Sequence, residues 1–144
     1  MFKHILLATD GSASAEHAAH KALELARIHG GHVTAAYVVD PYPYIGIGEV
    51  NPMALQSYMA AAQHASTRVF VQLADQAAAA GVQLQVQLVE NMQAARGIAQ
   101  LADDIAADLI VIGSHGRSGV QKLVLGSVAA KVVALSTRPV LVIR

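Results

Sequence analysis

The sequence predicts a single α/β domain in which four helices cover a doubly wound, five-stranded parallel sheet with the strand order 3-2-1-4-5. Two observations lead to this fold class. Five short apolar runs alternate with four helical patterns, and such connections join parallel strands through right-handed crossovers. The first run, Ile5-Leu6-Leu7-Ala8, is apolar without interruption, as a strand covered on both faces is. At 144 residues the chain has the length of one domain, 1–144.

Each element has a local signal for its start or its end. Ser12 is a candidate N-cap for the first helix, and Gly30-Gly31 ends that helix. Pro52 favours the start of a long Ala-rich helix, which Gly81 stops. The predicted strands are 3–9, 33–39, 82–88, 109–112 and 140–143, and the predicted helices are 13–28, 53–80, 94–106 and 125–135.

The buried faces of two helices follow from apolar residues at helical spacing. We expect these residues to face the core. They are Ala18, Ala22, Leu25, Ala26 and Ile28 in the first helix, and Val128, Val132 and Leu135 in the fourth.

Two strands are expected at the edges of the sheet. In the third strand, apolar residues alternate with Gln83, Gln85 and Gln87, so one face is predicted to be in water. The fifth strand, Val140-Leu141-Val142-Ile143, is apolar throughout and forms the other edge. Because apolar edges are seldom left unpaired, we expect this strand to pair with the same strand of a second copy in a two-fold homodimer.

The composition excludes several classes of function. Ten Lys and Arg balance ten Asp and Glu, so net charge does not attract nucleic acid or an anionic membrane. The chain has no cysteine, which excludes disulfides, thiolate zinc sites and cysteine nucleophiles. His17 with His20, and His29 with His32, lack a third ligand at short spacing, so no metal site is expected. Neither a targeting segment nor an apolar run of membrane-spanning length is visible, and a soluble, cytoplasmic protein is expected.

A glycine loop follows the fourth strand. Gly113, Gly116 and Gly126-Ser127 are spaced as Gly-x2-Gly-x9-Gly-Ser, which differs from the Walker and dinucleotide patterns. In the order 3-2-1-4-5 this loop lies beside Asp10-Gly11-Ser12, at the point where the strand order reverses and ligands bind. Backbone N–H groups and a helix N-terminus at Gly126-Ser127 would hold a phosphate. A plain strand-to-helix turn with incidental glycines fits the spacing alone equally well, and Asp10 alone fits a helix cap.

The sequence resembles the universal stress proteins, and the predicted fold class is accordingly Rossmann-like. Nucleotide-binding members of that family carry Gly-x2-Gly-x9-Gly-Ser/Thr, which this chain matches without a gap. The resemblance covers nearly the whole chain, through the strings at 5–12, 107–119, 125–129 and 138–143. One departure is Asn91-Met92-Gln93, which stands where many members have a Gly-x-Pro turn, and it leaves the shape of that loop open.

The resemblance implies a cytoplasmic homodimer that binds ATP, or ADP or AMP, and acts in the response to stress. Carried over by position, Ala8 and Thr9 would line the adenine side, and the backbone of Val38 would meet the adenine edge. Asp10 would lie near the ribose and the phosphates, or near a magnesium ion. The residues implied to hold or flank the phosphates and ribose are Gly113, His115, Gly116, Arg117, Gly126, Ser127 and Val128.

The sequence identifies no general base or nucleophile, so we expect at most slow ATP hydrolysis or phosphate transfer. The prediction is a nucleotide-binding regulator with no nucleic-acid or membrane partner. The alternative is a dimeric interaction module of the same fold whose glycine loop binds no nucleotide, or only a simple anion. On the first interpretation, Gly126→Val is expected to abolish nucleotide binding and leave the protein folded, because the branched side chain would lie against the phosphates.

Overall fold

The computed structural model of the chain describes residues 1–39, 52–91, 93–115 and 125–144. Within these ranges five strands alternate with four helices, as predicted. In chain order the elements are β1 (His4–Thr9), α1 (Ala13–His29), β2 (His32–Val39), α2 (Pro52–Ala80), β3 (Gln83–Glu90), α3 (Ala94–Asp104), β4 (Leu109–Gly113), α4 (Ser127–Leu135) and β5 (Val140–Ile143). None of the helices in the described ranges combines the length and the apolar character that crossing a membrane requires.

The strands form a parallel sheet in the order β3-β2-β1-β4-β5, which confirms the predicted fold class. β1 pairs with β2 on one side and with β4 on the other. Ala8, near the end of β1, lies beside Ile112, near the end of β4. The turns that follow β1 and β4 therefore leave the sheet next to each other, at the point where the strand order reverses.

Helices pack on both faces of the sheet. Successive residues of a strand point to opposite faces, so each strand contributes to both layers of the core. Ile5, Leu7 and Val111 pack with buried side chains of α1 and α2. Leu6 and Ile110 pack with buried side chains of α3 and α4. This arrangement explains why β1 and β4 are apolar at nearly every position.

α1 has the caps that the sequence predicts but not the whole of the predicted buried face. The Ser12 hydroxyl accepts a hydrogen bond from the backbone N–H three residues later at 3.2 Å, and Gly30 ends the helix in the left-handed region at φ 61°. The expectation for Ile28 was wrong: it is 62% exposed, whereas Leu23 is 4% exposed. Ile28 follows Ala26 by two residues, about 200° around the helix, so it cannot face the sheet when Ala26 does.

α4 begins later than predicted, and it buries a different face from the one that the sequence predicts. It starts at Ser127 with Gly126 at the N-cap position. Val132 is buried as expected, but the expectations for Val128 and Leu135 were wrong, since they are 40% and 48% exposed. The buried face is centred between Ala129 and Val132, which turns the predicted stripe partly toward solvent.

β3 is one edge of the sheet, and one of its faces is exposed to solvent, as predicted. Its glutamines are exposed, and Val86 is also 48% exposed. The N–H of Asn91, just after β3, donates to Val39 O of β2 at 3.1 Å. Because peptide groups alternate in direction along a strand, the N–H of Val86 points away from β2, toward the open edge.

β5 is the other edge, and all four of its residues are half-buried. The N–H of Ile110 donates to Pro139 O at 2.9 Å, and the N–H of Ser114 donates to Ile143 O at 2.7 Å. By the same alternation, the N–H of Val142 points away from β4. The N–H of Val142 therefore points toward any strand that pairs with this edge.

At the amino ends of the strands, His4 lies in a polar cluster. Its Nε2 is 2.8 Å from Thr34 Oγ1, and its ring stacks on that of His32 with centroids 4.1 Å apart. Burial, and next the neighbouring His32, lower the pKa of His4 below its ordinary value of 6.5. Asp108 Oδ2 accepts the backbone N–H groups of His4 and Lys3, each at 2.8 Å, and these bonds lower the pKa of the Asp108 carboxyl.

Candidate functional site

A cavity of about 620 Å³ opens at the carboxyl ends of β1 and β4, beside the first turns of α3 and α4. Its volume is typical of sites for small molecules. The predicted site residues that line it are Ala8, Thr9, Asp10, Val38, Gly113, His115, Gly126, Ser127 and Val128. Gly116 and Arg117, the other two predicted site residues, lie outside the described residues.

Sequence reasoning missed several residues of the lining. They are Ala15, Ala94, Ile98, Ile112, Ser114, Leu125 and Ala129. Ile112 and Ser114 flank Gly113, so their place in the chain was a usable signal. Ala94 and Ile98 belong to α3, which no motif marks, and the packing of that helix against the sheet brings them to the cavity.

The turn after β1 forms one wall of the cavity. Asp10 Oδ1 accepts the N–H of Ser12 at 2.9 Å, and Thr9 Oγ1 accepts the N–H of Gly11 at 3.2 Å. Gly11 adopts φ 78°, a left-handed conformation that glycine takes without strain. Since Ser12 is the N-cap of α1, the side chain of Asp10 shapes the turn and borders the cavity instead of capping the helix.

The two described glycines of the motif are required by the packing of the chain itself. A Cβ on Gly113 would lie 2.5 Å from Ser14 Oγ and 2.8 Å from the Ser14 carbonyl carbon. A Cβ on Gly126 would lie 2.7 Å from Ser114 O, whose hydrogen bond from Gly126 N is 2.6 Å long. A valine at position 126 would therefore collide with backbone before it reached a ligand, so a loss of nucleotide binding in Gly126→Val would not by itself locate the phosphates. That this variant stays folded is still a prediction.

The N-terminus of α4, with its first N–H groups, borders the cavity. Its N-cap is Gly126, which has no side chain to accept bonds from the first N–H groups of the helix. Those groups belong to Ser127, Val128 and Ala129, all of which line the cavity; the first intrahelical bond of this turn runs from Ala130 N to Gly126 O at 2.9 Å. Unsatisfied donors at the positive end of a helix attract anions.

Ser114 and His115 form a hydrogen-bonded pair beside these donors. Ser114 Oγ is 2.6 Å from His115 Nδ1, and Ser114 is 3% exposed. The backbone N–H of His115 is 3.5 Å from Ser14 Oγ, which adds a weak contact to α1.

The lining has two chemical parts. Apolar side chains come from the strands and from α1, α3 and α4, and include Ala8, Val38 and Ile98. Polar groups come from the two turns and the start of α4. The cavity is therefore suited to a ligand that combines an apolar group with an anionic group.

The same fold and sequence pattern occur in known proteins. The model of the universal stress protein family matches residues 1–144 of the chain. The chain belongs to the universal stress protein family. A universal stress protein of Thermus aquaticus is 37% identical to it over 145 residues, which cover 100% of each chain.

Two solved structures extend the comparison of this universal stress protein. A member of the family from Burkholderia pseudomallei matches with a TM-score of 0.78 at 31% identity, over 99% of this chain and 96% of that one. A universal stress protein in complex with cAMP matches with a TM-score of 0.73 at 25% identity, over 99% of this chain and 97% of that one.

Proposed function

We propose that this universal stress protein binds an adenine nucleotide in the cavity between α3 and α4, and that it acts in the cytoplasm as a nucleotide-dependent regulator of a stress response. The observation that carries the proposal is the joining of an apolar pocket to an uncapped helix N-terminus in one cavity of about 620 Å³. A nucleotide has the matching two parts, a flat base and an anionic phosphate chain. The cAMP complex of a relative of the same fold supports the adenine base.

Each wall has a role on this proposal. The base lies against the apolar side chains near Ala8 and Val38, which exclude water from its faces. The phosphates accept bonds from the N–H groups at the start of α4, and the Ser127 hydroxyl adds a further donor. ATP is the nucleotide we propose, because three phosphates make fuller use of these donors than one.

Magnesium is proposed to accompany the nucleotide. No group of three or more His, Asp and Glu side chains in the described ranges is arranged to hold a metal ion by itself. Magnesium is commonly held by one or two carboxylates together with phosphate oxygens, and the Asp10 carboxylate borders the cavity. Bound there, the ion would supply positive charge to the phosphates.

A homodimer through β5 is the second part of the proposal. The outward N–H of Val142 and the half-buried apolar side chains of β5 are suited to pairing with the same strand of another copy. The competing function, an interaction module without a nucleotide, would use the same edge and leave the cavity to a simple anion.

Calorimetric titration with ATP, AMP and adenosine, and native mass spectrometry of the purified protein, test the proposal. We expect ATP to bind, with AMP weaker and adenosine weaker still, and the natively purified protein to carry adenine nucleotide. If neither method detects a nucleotide while inorganic phosphate binds, the interaction module is the better description.

A further inference from the structure

Ser114 lies where the ends of β4 and β5 meet the start of α4. Its N–H donates to Ile143 O at 2.7 Å, and its carbonyl accepts the N–H of Gly126 at 2.6 Å. Both backbone bonds fix the residue between the end of β5 and the start of α4. The backbone of Ser114 is therefore held in place, and its hydroxyl lies next to the ring of His115.

The burial of Ser114 favours one direction for its hydrogen bond to His115. A buried hydroxyl has lost its water partners and needs an acceptor for its proton. In the described part of the chain, the contact made by Ser114 Oγ is with His115 Nδ1, at 2.6 Å. A hydroxyl that donates to Nδ1 leaves the ring proton on Nε2, since the partner of one ring nitrogen sets the state of the other.

We propose that Ser114 is a positioning residue for nucleotide binding: it holds the His115 ring by Nδ1 and so presents Nε2–H as a hydrogen-bond donor to a phosphate oxygen. His115 lines the cavity together with the first turn of α4, where the phosphates are proposed to bind. The assignment rests on the proposed function. It adds a side-chain donor whose proton is placed by a second residue.

Two substitutions of His115 distinguish the roles of its two ring nitrogens. Asparagine reaches about as far as Nδ1, so His115→Asn keeps the contact to Ser114 and loses the donor to the ligand. Glutamine reaches about as far as Nε2, so His115→Gln keeps an N–H donor at the ligand. We expect ATP and AMP to bind about 10-fold more weakly or worse to the Asn variant, as for a lost bond to a charged group. The Gln variant is expected to stay within about 3-fold of the wild type.

Ser114→Ala tests the positioning role directly. It removes the hydroxyl without adding volume, and we expect an intermediate loss of ATP affinity. The ¹⁵N NMR signals of the His115 ring report the proton position: wild type is expected to show one tautomer with the proton on Nε2, and Ser114→Ala a mixture. A merely structural role for Ser114 would not change the tautomer.

The outcomes distinguish this assignment from the function on which it rests. If the wild-type protein binds no ATP, the proposed function is overturned and this assignment with it. If the wild type binds ATP but the Asn and Gln variants lose affinity equally, or neither loses any, the role of Nε2 is overturned and the nucleotide site stands. Equal losses for adenosine and ATP in the Asn variant would likewise place the contact away from the phosphates.

Discussion

Replacing Ser127 by aspartate separates the effect of the α4 N-terminus on folding from its effect on binding. Ser127 is the first residue of α4 and is exposed, and it lines the cavity. A carboxylate at this position complements the positive end of the helix, so stability is expected to rise by about 0.3–1 kcal/mol. The same charge would stand where the phosphates are proposed to bind, so affinity is expected to fall. Ser127→Asn has nearly the same shape without the charge and is the matched control.

The size of the binding effect follows from Coulomb's law. Two unit charges 4 Å apart repel each other by about 1 kcal/mol in bulk water and by about 4 kcal/mol at an effective dielectric constant of 20. Because position 127 is exposed and salt screens its charge, we expect a repulsion of about 1–3 kcal/mol between the carboxylate and the phosphates. This repulsion weakens ATP binding by about 5- to 150-fold. The gain in stability raises the melting temperature by about 1–4 °C.

Calorimetry with ATP, AMP and adenosine, together with thermal melting, measures both effects. In the Asp variant we expect the largest loss for ATP, a smaller loss for AMP and no loss for adenosine, which carries no charge. The Asn variant should bind all three about as the wild type does. Unchanged ATP affinity in the Asp variant, or an equal loss for adenosine, would show that the phosphates do not lie at the start of α4.

Three further predictions concern the fold, the pH dependence and the edge strand. Gly126→Ala is expected to lower the free energy of unfolding by about 1–3 kcal/mol through its backbone clash and to weaken ATP binding; urea denaturation and calorimetry measure the two effects. Gly81→Ala should lower the free energy of unfolding by about 1–2 kcal/mol, because residue 81 adopts a φ of 67° and a Cβ there meets no neighbour. This variant should leave nucleotide binding unchanged. Because the pKa of His4 is lowered in the folded protein, the unfolded chain takes up a proton first as pH falls through 6.5, and stability should fall between pH 7 and pH 5. His4→Gln should reduce that fall in urea denaturation curves measured at the two pH values. Val142→Pro, which removes an N–H on the open edge of β5, should give a monomer in sedimentation, whereas Val86→Pro on the other edge should leave the dimer intact.

Each of these has an outcome that contradicts it. A Gly126→Ala variant as stable as the wild type would mean that the backbone at Ser114 yields to a methyl group. Equal pH dependence in wild type and His4→Gln would assign the loss of stability to other groups. A wild-type protein that sediments as a monomer, or a Val142→Pro dimer, would exclude pairing through β5.

The order and type of the elements could be predicted from the sequence because each depends on neighbours along the chain. Apolar runs such as Ile5-Leu6-Leu7-Ala8 mark strands covered on both faces, and Ser12 and Gly30 mark the ends of α1 through their own hydrogen bonds and backbone freedom. The place of the cavity followed as well, since the reversal of strand order sets it. The face that a helix buries was predicted less well, as Ile28 shows, because the direction of approach to the sheet selects it.

The sequence by itself determined a doubly wound fold and the place of a cavity at the ends of β1 and β4, because periodicity and capping are local properties. Only the tertiary structure decided what the motif residues do there. Positions 113 and 126 require glycine because a Cβ there would lie within 3 Å of atoms from other parts of the chain. The backbone of Ser114 is held by its hydrogen bonds to Ile143 and Gly126. These are distances between segments far apart in the chain, and they are set when the helices pack on the sheet.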